Sequence, residues 1–193
     1  LAFETSNPTA SSQGVGEVGV GRVHAAHAPR QADESLADVS SVALAPRARH
    51  DDALMPGVDR ALSDRDLSPP DLEAVAVSVG PGGFTSIRVG VATASMLSLA
   101  RGLPVYAVPS ALVAGWTRLL DPPADGRPIG VALASKRDEA WIALLRPETA
   151  PNDARAGRPM DAAALAALAD ADRPGVLVAD TLLPEPIRAW CEQ

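Results

Sequence analysis

The residues with most chemical scope lie in one glycine-rich stretch, Gly80-Pro81-Gly82-Gly83-Phe84-Thr85. A glycine loop between a strand and a helix can hold phosphate, because its N–H groups and the helix dipole both favour an anion. Two features count against that chemistry here. No Gly-Lys-Ser/Thr follows the loop, and Thr85 stands where a G-x-G-x-x-G motif needs its last glycine. Pro81 also removes one N–H donor. The residue types therefore favour a tight structural turn over Gly80, Pro81, Gly82, Gly83 and Phe84. The remaining candidates are sparser. His24 and His27 form an H-x-x-H without a cysteine or further histidine to complete a zinc set. His50 reads as a helix-start or core-edge residue. Glu4 reads as a strand-end carboxylate that satisfies turn amides. Nothing in the sequence argues for Cys191 as a nucleophile, and no G-x-S-x-G supports a serine hydrolase. No catalytic, cofactor-binding or metal-binding set emerges.

The elements that position the loop are clear. The run 74–79 is continuously apolar, as a strand buried on both faces would be. After the glycines, Thr85 or Ser86 can cap a helix that runs to about Arg101 and stops at Gly102, with Pro104 beyond. A second strand follows over 105–108. Strand, helix and strand within about 35 residues form the βαβ unit of a mostly parallel sheet. The helix is apolar almost all round, whereas covering one sheet face needs a single stripe. Gly90, Ala94 and Ser98 make a ridge of small residues on it. Two readings stay open: a central helix of one domain, or a helix shared between subunits. A membrane span is excluded, because Arg88 and Arg101 enclose only a dozen uncharged residues and ~20 are needed.

The 193 residues suffice for one domain or two small lobes. A net charge of −7 argues against a general nucleic-acid-binding surface. A single cysteine precludes an intrachain disulfide and suits a reducing compartment. The sequence predicts no signal peptide and no spanning segment, and both ends read as cut. Segment 11–45 is the least legible: its glycines alternate with valines up to Gly21, as in a glycine-weakened hairpin or a loop. A helix over 53–63, with Leu54 and Val58 on its apolar face, precedes the strand at 74–79. Further elements are expected at 1–5 (strand), 41–44 (strand), 111–120 (helix), 129–133 and 140–145 (a hairpin), 161–170 (helix), 176–179 (strand) and from about Pro186 (helix). The break at Asp121–Gly126 marks the boundary between an N-terminal lobe, 1–121, and a C-terminal lobe, 127–193, which reads as incomplete.

The stretch GPGGFTSIRVGVATASMLSLARGLPVYAVPS resembles the signature of the bacterial dimerisation subunit of tRNA threonylcarbamoyladenosine synthesis, the TsaB or YeaZ type of the glycoprotease-like family. Gly80, Pro81, Gly82, Phe84, Thr85, Arg88 and Gly90 fit that pattern; Gly83 and Ser86 depart from it. Glu4, Thr5 and Ser6 match the end of that family's opening strand, and Glu139 its hairpin, where Ala134 replaces an aspartate. The spacing from Glu4 to His50 is longer than the pattern, which implies an insertion within 11–40. The resemblance implies an α/β fold of the actin-like ATPase or ribonuclease-H-like kind, with two related lobes and mixed sheets flanked by helices. It implies a cytoplasmic, non-catalytic subunit without cofactor. Its partners would be the catalytic threonylcarbamoyltransferase, a pathway ATPase, and tRNA reached through the complex, with a homodimer also possible and no membrane contact. In ATP-using relatives of the fold an acidic residue at the place of Glu4 helps position metal and phosphate. In the catalytic sister family two histidines hold a metal where this chain has Ser110 and Ala114. Helices 52–63 and 86–101 would then form the interface, through Leu54, Val58, Ile87, Gly90, Val91, Ala94, Leu97 and Ser98. An ATP- or metal-dependent transferase of the same fold, or a free-standing homodimeric module, are the alternatives.

Overall fold

The computed structural model describes residues 1–4, 17–21, 39–44, 50–146 and 157–192. Within these the chain divides into two compact units, 1–78 with 84–107, and 79–83 with 108–193. The loop Asp121–Gly126, read from sequence as the boundary, joins two elements inside the second unit.

The first unit carries a five-stranded sheet: β1 (Ala2–Glu4), β2 (Glu17–Gly21), β3 (Val39–Ala43), β4 (Val75–Ser78) and β5 (Val105–Val108), in the order β3-β2-β1-β4-β5. β1, β2 and β3 form an antiparallel meander, and β4 lies parallel to β1. The bonds from Val75 N to Pro104 O (3.0 Å) and Val79 N to Val108 O (3.0 Å) advance together, so β5 is parallel to β4. β2 falls inside the segment that the sequence reads as inserted. Its valines explain why: Val18 and Val20 alternate with Gly19 and are buried, the period of a strand with one face in the core. The remaining part of 11–40, apart from the start of β3, lies outside the described residues.

Two helices cover this sheet. α1 (His50–Ser63) joins β3 to β4 and lies against β2 and β3; α2 (Phe84–Arg101) joins β4 to β5 and lies against β4. Both crossovers step the same way across the sheet, and right-handed connections then place both helices on one face, where they touch. α1 approaches β2 closely at Gly57, where a Cβ would stand 2.7 Å from Leu44 Cδ2 and 3.3 Å from Val18 Cγ2. α2 starts at Phe84, two residues before the 86–101 span that its sequence suggests. Thr85 and Ser86 lie in its first turn and do not cap it, because the chain leaves the loop at Gly83. It ends as expected at Gly102, whose φ of 67° suits glycine. The Ser98 hydroxyl donates to Leu103 O at 2.7 Å and closes that end.

The second unit holds β6 (Ile129–Ala134), β7 (Ala140–Leu145), β8 (Arg158–Met160) and β9 (Val176–Ala179) in the order β8-β7-β6-β9. Again the first three are antiparallel and the fourth is parallel to the first. The strand order repeats that of β3-β2-β1-β4. Alternation along β6 and β7 supplies two cores. Ile129, Val131, Leu133, Ala143 and Leu145 meet α3 (Ser110–Leu119) on one face. Ala132, Ala140 and Ile142 meet α4 (Ala162–Ala166) and α5 (Glu185–Cys191) through Leu165, Leu183 and Ile187 on the other. α4 is shorter than the predicted 161–170 helix. Alanine propensity alone does not hold so short a helix. Asp161 caps its start by accepting from Ala164 N at 2.8 Å, Leu165 anchors it, and a 3-10 turn takes over at Asp170–Asp172.

Candidate functional site

The glycine loop and α2 are the places where sequence and structure both point. In the loop, Gly80 has φ 98°, a conformation that side-chain-bearing residues rarely adopt. Its carbonyl accepts from Ser110 N at 3.0 Å. Gly82, Gly83 and Phe84 are exposed. That backbone bond ties the bend down at Gly80.

α2 sorts its apolar residues into two faces. Gly90 and Ala94 are buried within the first unit, Ala94 completely at 0% exposure. Ile87, Val91, Leu97 and Ser98 flank them, half-buried. The small ridge therefore lets α2 lie close to its own sheet and neighbour helix. Leu54 and Val58 of α1 are likewise core residues, at 1% and 2% exposure. Of the eight residues expected at an interface, these four are thus occupied inside the chain. The reason is physical: a helix apolar almost all round carries no clear sequence mark of which side meets the sheet.

The opposite face is the one left open. Phe84, Arg88, Ala92 and Met96 follow each other at four-residue steps, with Leu99 completing the face. Phe84 is 73%, Met96 70% and Leu99 87% exposed. The Arg88 guanidinium sits over the Phe84 ring, 5.2 Å from its centroid, a cation–π pair. Sequence reading assigned Phe84 to the turn and passed over Met96 and Leu99; the four-residue step 84/88/92/96 was the available signal. Solitary exposed hydrophobic residues are ordinary, but several of this size on one helix face mark a contact surface.

The other candidates are less built. Ser110 and Ala114 stand one turn apart on α3; Ser110 is buried and Ala114 packs against the Ile129–Leu145 core. His24 and His27 lie outside the described residues, as do the side chains of Glu4 and His50. Cys191 is a half-buried free thiol whose pKa burial raises, the setting of an unreactive cysteine. Among the described residues no three His, Cys, Asp or Glu side chains group to hold a metal ion. No helix of the described residues is long and apolar enough to cross a membrane.

Two helix-flanked mixed sheets of one repeated strand order define an actin-like, ribonuclease-H-like α/β protein, and solved structures agree. YeaZ from Pseudomonas aeruginosa superposes with a TM-score of 0.56 at 17% identity, over 99% of this chain and 89% of that one. A second structure from the same organism, described as similar to peptidase YEAZ, gives 0.52 at 22% identity over 99% and 88%. The family model for TsaD, tRNA N6-adenosine threonylcarbamoyltransferase, matches residues 43–175. The chain belongs to that family. Curated relatives match over a shorter stretch. An uncharacterized protein of Mycobacterium tuberculosis is 48% identical over 59 residues, 31% of this chain and 28% of that protein. The tRNA threonylcarbamoyladenosine biosynthesis protein TsaB of Bacillus subtilis is 39% identical over 61 residues, 32% and 27%. A tRNA N6-adenosine threonylcarbamoyltransferase of Bifidobacterium adolescentis is 40% identical over 59 residues, 31% and 17%. The matched segment thus spans less than a third of each curated relative.

Proposed function

We propose that this chain is a non-catalytic subunit in tRNA threonylcarbamoyladenosine synthesis that pairs with the catalytic threonylcarbamoyltransferase and activates it. The observation that carries the reading is the open apolar face of α2, with Phe84, Met96 and Leu99 turned away from the first unit's core. Ile87, Val91, Leu97 and Ser98 would form the inner margin of that contact. Family membership and the name of the Bacillus subtilis relative support the pathway. Serine and alanine at 110 and 114 support the non-catalytic role, since alanine offers no ligand atom and a neutral serine hydroxyl is a poor one. The glycine loop supports it too, lacking the lysine that would meet a phosphate. A pathway ATPase would be a further partner, and tRNA would be reached through the complex in the cytoplasm. The test is reconstitution. Transferase, ATPase, threonylcarbamoyl-adenylate and substrate tRNA should give modified adenosine only when this chain is added. The chain with tRNA and adenylate alone should give none. Modification at full rate without it would refute the role, and modification by it alone would make it an enzyme.

A further inference from the structure

The space between the outer strand β8 and α4 takes no part in the pairing role. Met160 and Arg158 of β8 lie opposite Ala140 and Ile142 of β7, on the sheet face that α4 covers. Met160 is 5% exposed and joins the core there beside Leu165. Arg158, two residues earlier on the same face, is exposed. On α4 and the turn after it, Ala164, Ala167 and Leu168 follow at three- and four-residue steps and share one face. Two of these three are alanines, too short to fill the gap between helix and strand. A groove of about 510 Å³ results, lined also by Asp172 of the 3-10 turn. That volume is in the range of small-molecule sites.

The groove holds one cation and one anion over an apolar floor. Among the described residues, Arg158 and Asp172 form no ion pair, with each other or with any other side chain. An added peptide strand does not suit it, because Pro159 sits in the middle of the three-residue edge strand and has no N–H to offer. A simple anion would meet the Asp172 carboxylate, and a simple cation the Arg158 guanidinium. A small ligand carrying both charges satisfies both groups.

We propose that this groove binds a free α-amino acid with an aliphatic side chain. Its carboxylate lies on the Arg158 guanidinium, whose fork of donors matches a carboxylate. Its ammonium donates to the Asp172 carboxylate, and its side chain covers Met160 and Leu168. The site is separate from the outward face of α2, so the pairing role stands or falls without it.

The probe is L-leucine, titrated into the whole chain isotope-labelled at its alanine methyl groups. Two analogues accompany it: isocaproate, which lacks the ammonium, and isoamylamine, which lacks the carboxylate. L-Leucine should shift the Ala164 and Ala167 methyl signals saturably. Each analogue should bind ~tenfold more weakly or worse, the scale for losing one charged hydrogen-bonding partner. Arg158→Gln should weaken leucine and isocaproate by a similar factor and leave isoamylamine as it was. Asp172→Asn should weaken leucine and isoamylamine and leave isocaproate as it was. Both side chains are exposed, so both variants should melt as wild type does. No saturable shift at tens of millimolar leucine would overturn the site. Isocaproate or isoamylamine binding as tightly as leucine would overturn the requirement for both charges. Leucine binding untouched by either substitution would place it elsewhere on the chain and overturn the assignment.

Discussion

At the scale of single residues, two positions carry more than their size suggests. Ala94 is fully buried between α2 and the elements beneath it. Ala94→Leu should therefore lower the stability of the chain itself by ~1–3 kcal/mol, as overpacking does. A thermal or denaturant melt of the isolated protein checks this. An unchanged midpoint would place Ala94 on the outside of the helix. Gly80 holds φ 98°. Gly80→Ala should cost ~1–3 kcal/mol through backbone strain, read as a lower urea midpoint with an unchanged slope. These two predictions concern folding, so neither needs a partner in the assay.

At the scale of elements, helices are seated by small residues where they meet sheets. Gly115 of α3 is the sharpest case in the second unit. A Cβ there would lie 2.5 Å from Leu145 Cδ1 and 3.0 Å from Val131 Cγ2. Both neighbours are fully buried and have little room to give. Gly115→Val should destabilise by at least ~1–3 kcal/mol, and Gly115→Ala by less, in a denaturant series. The elements also show what the sequence made legible. β4, β5, β7 and β9 fall where their apolar runs and flanking breakers put them, because short apolar runs bounded by turn-forming or charged residues have few alternatives. The length of α4 was not legible: an alanine run has helix propensity at every residue, and only the packing of Leu165 decides where the helix holds. β2 was hidden because glycines dilute its valines. The inward side of α2 was hidden for the opposite reason, an excess of apolar residues. Pattern reading finds a face by contrast, and this helix offers almost none. Exposure divides it instead, into a ridge at Gly90 and Ala94 that meets the chain's own core and a surface at Phe84, Met96 and Leu99 that does not.

At the scale of the whole molecule, the two units repeat one strand order, while among the described residues only the first presents a long helix with an open apolar face. A second open stripe exists on α3 and its C-cap, where Val113, Trp116 and Leu120 are exposed, but nothing in the structure shows what covers it. The central claim is that α2 binds the catalytic subunit through its outward face. The most direct measurement is the affinity of the chain for that subunit by calorimetry, wild type against Leu99→Asp. Leu99 is 87% exposed, so the variant should melt as wild type does. If the face is the interface, burying the new carboxylate against apolar surface should weaken binding by tenfold or more, about 1.4 kcal/mol at the least. An affinity unchanged from wild type in the folded variant would contradict the account.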